Sequence, residues 1–121
     1  MKISKIIFVI LLIILSSCSK HKISITAHRG SSGEAPENTM SAYLLAIEMG
    51  SHFAELDVQE TTDDVLILYH DKTYNRTAGV SANVWDLSYE SIKEFDVGSW
   101  KNEAYRGEPI PLFTDIIDSV N

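Results

Sequence analysis

Apolar and polar positions change rhythm several times along the chain, and each change marks a predicted element. Ile6 to Leu15 is an unbroken apolar run, followed by a polar stretch and then Ile23-Ser24-Ile25-Thr26-Ala27, which reads as a short strand. Apolar residues then recur at three- and four-residue spacing through Met40, Tyr43, Leu44 and Ile47. This predicts a helix reaching Glu48, with Asn38 or Thr39 as its cap and Gly50 placed to end it. Phe53 to Val58 reads as a second strand, and Val65 to His70, rich in β-branched and large apolar residues, as a third. Between them Thr61-Thr62-Asp63-Asp64 is too short for a crossover helix, so these strands are expected to form an antiparallel hairpin. Asp71 to Gly79 reads as loop, and Asp86 or Ser88 caps a short helix through Tyr89, Ile92 and Phe95. Gly98 to Gly107 is a polar and aromatic loop, Pro109-Ile110-Pro111 interrupts regular structure, and Thr114 to Val120 begins another helix.

The first apolar run belongs to a leader rather than to the domain. Lys2 and Lys5 precede it, small residues follow it, and it is short for a bilayer span, so residues 1–17 are expected to be an export signal. Cys18, the only cysteine, is either a small hydrophobe of a discarded signal helix or the acylated first residue of a mature bacterial lipoprotein. Leu15-Ser16-Ser17-Cys18 resembles the lipobox, and we take the second reading. It predicts an exported protein held at a membrane by an N-terminal lipid, with residues 18–22 as a polar tether and 23–121 as one domain. No internal disulfide can then form in the mature part. Without the leader, eight Lys and Arg face 17 Asp and Glu, a balance that argues against nucleic acid as a partner.

Candidate chemistry collects where the strands end. His28 and Arg29 follow the first, Glu55 and Asp57 lie at the end of the second, and His70-Asp71 closes the third. Two carboxylates two apart on a strand share a face and must share a proton or recruit a cation. Their hard oxygens suit Ca²⁺ or Mg²⁺, with at least one further ligand from elsewhere. The plainer alternative has Glu55 facing solvent and Asp57 capping a turn. A histidine serves as base when neutral and as acid when protonated, so His28 and His70 could share one reaction; each alone is equally a structural residue. Arg29 offers a planar fork matched to phosphate oxygens, or a salt bridge with a surface acid. His21 reads as tether and His52 as surface at the helix end. Asn75-Arg76-Thr77 matches a glycosylation acceptor, which a bacterial-type leader makes uninformative.

In order and spacing, His28-Arg29-Gly30, Pro36-Glu37-Asn38-Thr39, Glu55-Leu56-Asp57-Val58, Thr62-Asp63, Leu68-Tyr69-His70-Asp71 and Arg76-Thr77 resemble the glycerophosphodiester phosphodiesterase family, over roughly residues 24–113. The resemblance implies an α/β fold of the (β/α)₈ TIM-barrel type, here its N-terminal portion and the start of a small insertion from His70 to Gly107. It implies an active site at the C-terminal strand ends, where a divalent cation, Ca²⁺ or Mg²⁺, binds the substrate phosphate. By the same resemblance, Glu55 and Asp57 are metal ligands, and His28 and His70 are the catalytic acid/base pair. Arg29 holds the substrate phosphate and Glu37 orders the site. The implied reaction is hydrolysis of a small-molecule glycerophosphodiester to glycerol 3-phosphate and an alcohol.

Two departures accompany the resemblance. After Ile110-Pro111 the family usually shows Thr-Leu-Glu-Glu, whereas Leu112-Phe113-Thr114-Asp115 stands here, leaving Asp115 as the only acid. The family's third acidic metal ligand and most of its barrel lie beyond residue 121, since a closed barrel takes about 200 to 250 residues. The 121 residues alone are therefore expected to be poorly folded and inactive, which leaves open a non-catalytic lipoprotein fragment as an alternative to the enzyme. A related phospholipase of the same barrel superfamily is a further alternative.

Overall fold

The computed structural model describes residues 23–119; the predicted signal peptide, Cys18 and the tether lie outside them. Two small sheets form the frame. Strand β1 (Thr26–Ala27) pairs in parallel with β2 (Phe53–Ala54), and β3 (Val58–Glu60) pairs antiparallel with β4 (Leu66–Leu68), Val58 opposite Leu68. The hairpin follows from its connection, because four polar residues cannot carry a chain back for a parallel return. Asp64 makes the turn with a left-handed backbone (φ 61°), and the Thr61 N–H donates to Val65 O at 3.0 Å.

The predicted second strand is in fact divided. Phe53–Ala54 belongs to the first sheet and Val58–Glu60 to the second, and Glu55, Leu56 and Asp57 form the joint between them. Backbone pairing persists at both ends of this joint: the Glu55 N–H donates to Ala27 O at 2.8 Å, and Asp57 O accepts from the Tyr69 N–H at 3.0 Å. One chain segment thus changes partner within three residues, and the two acids sit at the change.

Helix α1 (Met40–Glu48) joins the parallel strands. Thr39 caps it in an extended conformation; its hydroxyl accepts from the Ala42 N–H and donates to Pro36 O at 2.7 Å. Its buried face is Ala42, Tyr43 and Ala46, whereas Leu44 and Ile47, expected inside, are about half exposed. Gly30 explains the small residue at position 42. With φ 74° it lies so close to the helix that a Cβ there would stand 2.7 Å from the Ala42 carbonyl carbon.

Beyond β4, the segment expected as loop contains a one-turn helix, α2 (Asn75–Ala78), closed by Gly79 in a left-handed conformation. A short helix α3 (Tyr89–Ile92) follows; Ser88 occupies the cap position, but the oxygen that accepts from the Tyr89 N–H is Asp63 Oδ1, from the β3–β4 turn. Helix α4 (Phe113–Ser119) ends the described chain. Ile67 and Leu68, adjacent on β4 and therefore facing opposite ways, enter two different cores. Ile67 packs with Tyr69, Tyr74, Val84, Ile92, Val97 and Ile110, and Leu68 with Tyr43 and Ile116. Each such fully buried side chain stabilises the fold by about 1.5–3 kcal/mol. The Leu68 N–H also donates to Pro111 O, and Ile67 bridges Leu112, so β4 is flanked on both sides.

Candidate active site

Arg29 is where the site begins. Following β1 directly, it adopts a left-handed backbone (φ 55°), a conformation that costs a non-glycine residue about 1 kcal/mol and needs support. Its N–H donates to Glu55 Oε2 at 2.9 Å, and its carbonyl accepts from the Asn38 N–H at 3.1 Å. The guanidinium reaches Glu37 Oε1 at 2.9 Å, and its Nε lies 3.2 Å from Asp57 Oδ2, a charge contact whose N–H is not aligned for a hydrogen bond. Arg29 is four-fifths buried, so these contacts are screened less than surface pairs.

Asn38 organises the other side. Buried and also left-handed (φ 56°), it donates from Nδ2 to Asp57 Oδ2 at 2.9 Å and accepts at Oδ1 from the Asp57 N–H. The same Oδ1 accepts from the Tyr43 hydroxyl at 2.9 Å. Burial raises the Tyr43 phenol well above its ordinary range, and the charges of Glu55 and Asp57 add to this, so Tyr43 stays a donor.

His70 lies at the end of β4, its Nδ1 2.8 Å from Asp71 Oδ1. Hydrogen bonds from Arg76 outweigh burial and, with a further bond from His70, hold Asp71 down to about 2, so the carboxylate only accepts. His70 Nδ1 is therefore the donor, and in the neutral ring Nε2 keeps its lone pair. Arg76, on α2, donates to Asp71 Oδ2 at 2.7 Å and to Glu37 Oε1 at 2.6 Å, and packs over the Trp100 ring at 5.2 Å. Burial raises the Glu37 carboxyl, but Arg76 and then Arg29 more than offset it, leaving Glu37 below its ordinary range.

The structure brings Arg29, Glu37, Glu55 and Asp57 together, with His28 Nε2 4.0 Å from Glu55 Oε2. Glu37 connects this group to His70 through Arg76 and Asp71. Glu55 and Asp57 do not share the face of one strand; they share the joint between two. His52 lies at the start of β2, at its opposite end, where Nδ1 accepts from the Ile25 N–H. Asp115 is exposed in the first turn of α4. Two residues to which sequence reasoning gave no site role, Asn38 and Arg76, turn out to be central. Only their place inside the shared motifs hinted at it.

Two sets of acids bear on a metal. Glu37, His70 and Asp71 form a possible metal-binding group, one ligand atom of each lying within 4.8 Å of the others. The Arg76 fork already spans both of its carboxylates. Glu55 uses one oxygen on the Arg29 N–H and Asp57 one on Asn38, leaving a second hard oxygen each in a half-buried position, which fits Ca²⁺ or Mg²⁺.

A parallel strand pair joined by a helix, with acids, histidines and arginines at the strand ends, defines part of an α/β barrel with a polar site at its mouth. The profile of the glycerophosphoryl diester phosphodiesterase family matches residues 28–121, and the chain belongs to that family. It is 39% identical over 99 residues to a glycerophosphodiester phosphodiesterase of Caldanaerobacter subterraneus, covering 82% of this chain and 41% of the relative. A Bacillus subtilis enzyme of the same name is 41% identical over 98 residues, 81% of this chain and 33% of its own length. Among solved structures, the glycerophosphodiester phosphodiesterase of Agrobacterium tumefaciens superposes with a TM-score of 0.78 at 33% identity, over 82% of this chain and 43% of the other. An Oleispira antarctica phosphodiesterase in complex with the product sn-glycerol-3-phosphate gives 0.78 at 35% identity, over 81% and 40%. The chain thus spans about two fifths of the length of most of these relatives.

Proposed function

We propose that this protein is a metal-dependent phosphodiesterase that hydrolyses small glycerophosphodiesters to glycerol 3-phosphate and an alcohol. The observation that carries the reading is the convergence of Arg29, Glu55 and Asp57 at the ends of β1 and β2, within a chain of this family. The complex of the Oleispira antarctica relative with sn-glycerol-3-phosphate supports the substrate class.

Glu55 and Asp57 would hold the cation, together with a ligand outside the described residues. A bound divalent ion supplies charge stabilisation to a phosphoryl group gaining negative charge. Arg29 holds the phosphate, and Glu37 fixes the plane of its guanidinium. His70, with Nδ1–H bound to Asp71, presents Nε2 as the base that takes a proton from the attacking hydroxyl or water. His28, on the Glu55 side, returns a proton to the leaving alcohol oxygen. An N-terminal lipid on Cys18, with residues 1–17 removed on export, would place the enzyme at a bacterial membrane.

The test is turnover of glycerophosphocholine by the full-length protein and its variants. His28→Ala and His70→Ala are expected to lose turnover by about 100-fold or more, while His52→Ala keeps it. Equal loss in all three would sink the assignment, and release of a cyclic phosphate would move the protein to the phospholipase side of the superfamily. Intact mass of the membrane-extracted protein checks the lipid.

A further inference from the structure

We propose that Arg76 is a positioning residue that locks the two halves of the site into one arrangement, holding His70 through Asp71 and Arg29 through Glu37. The inference rests on the phosphodiesterase reading and adds a residue to it.

An exposed arginine beside acids is usually a surface ion pair of little consequence. Arg76 differs in three respects. Its guanidinium grips two carboxylates at once, Asp71 through Nε at 2.7 Å and Nη2 at 3.1 Å, and Glu37 through Nη2 at 2.6 Å and Nη1 at 3.1 Å. Each carboxylate also holds a site residue with an oxygen that Arg76 touches: Asp71 Oδ1 takes His70 Nδ1–H, and Glu37 Oε1 takes Arg29 Nη1–H. Finally, the guanidinium is backed by the Trp100 ring, whose indole N–H is tied to Val97 O at 2.8 Å, which limits its movement out of plane.

The chain His70, Asp71, Arg76, Glu37, Arg29 therefore runs from the end of β4 to the end of β1 through one planar group. Asp71 and Glu37 would repel each other without a cation between them. With Arg76 removed, Asp71 and Glu37 lose the group that holds both of them, so the Nδ1–H bond of His70 to Asp71 loses its fixed geometry and the two pairs are no longer set one against the other. A base displaced from the phosphate by about 1 Å can cost on the order of 100-fold in rate while binding survives. A lysine keeps the charge but cannot fork two carboxylates, so it should not substitute.

The experiment is Arg76→Met and Arg76→Lys in the full-length protein, reading kcat and KM on glycerophosphocholine and the imidazole ¹⁵N signals of His70. Expected are a kcat about 10- to 100-fold lower, a KM within about twofold, loss of the ordered Nδ1–H signal, and no full recovery with lysine. Wild-type kcat and KM with only a lower melting temperature would overturn the inference, leaving Arg76 a stability brace. Should Arg76→Met not fold, Arg76→Lys carries the same split, and unchanged kcat there overturns it. In a wild-type protein that turns over no glycerophosphodiester, the function reading fails and the imidazole signals decide alone. Loss of Nδ1–H in the variant then supports the linkage, and its persistence overturns it.

Discussion

Asn38 shows how one side chain can serve backbone, packing and site together. Its left-handed backbone is tolerated by asparagine better than by most residues, and its amide holds both the Asp57 carboxylate and the Asp57 N–H. Asn38→Ala should lose the bonds and meet the backbone strain, costing roughly 2–4 kcal/mol, whereas Asn38→Gly should lose the bonds alone and cost about 1 kcal/mol less. Urea midpoints of the two variants check this, and equal midpoints would remove strain from the account. Gly30 is the companion case. Its φ of 74° and the Ala42 backbone at 2.7 Å from a would-be Cβ mean that Gly30→Ala must move either the Arg29 turn or helix α1. It should cost more than the roughly 1 kcal/mol of the backbone term alone, again read from urea midpoints.

Between elements, the long loop after α3 is tied to the β1–α1 region by side chains that reach across more than sixty residues. Glu108 accepts from the Ser41 N–H at 3.1 Å and the Ser41 hydroxyl at 2.7 Å, in the first turn of α1. Lys101 Nζ donates to Ser32 O at 2.8 Å, and the Tyr105 hydroxyl donates to Glu34 O. A carboxylate at the positive end of a helix, bonded to its free N–H, stabilises by about 1 kcal/mol. Glu108→Ala should cost about that much and speed proteolytic cleavage within residues 98–107. Unchanged cleavage would mean that Lys101 and Tyr105 suffice to hold the loop.

At the scale of the whole molecule, the site is a balance of charges with a pH signature. Asp71 falls from an ordinary 3.8 to about 2 in the folded protein, chiefly through its bonds to Arg76. A depressed carboxylate binds fewer protons folded than unfolded. Its contribution to stability is therefore present above about pH 4 and is lost as pH falls towards 2. Glu37 adds to the loss with the same sign. Melting temperature between pH 6 and pH 2 should fall less steeply in Arg76→Met than in the wild type; parallel curves would mean that the acid sensitivity arises elsewhere than at the Arg76 carboxylates. Millimolar Ca²⁺ should raise the melting temperature of the full-length protein, and Glu55→Gln with Asp57→Asn should abolish the rise. Much of this was already readable along the chain. Periodicity marked α1, side-chain chemistry offered Asn38 or Thr39 as its cap, a four-residue connection forced the β3–β4 hairpin, and the clustering of His28, Arg29, Glu55, Asp57 and His70 at strand ends pointed to a site. These are local properties, set by residues within a turn or two of one another. What local pattern does not carry is which surfaces meet. The division of the predicted second strand, the burial of Ala42 and Ala46 in place of Leu44 and Ile47, and the left-handed Arg29 and Asn38 all depend on close approach between distant segments. So does the double grip of Arg76 on Asp71 and Glu37, because a carboxylate thirty-nine residues away becomes a neighbour only when β1, α1 and β4 have packed together.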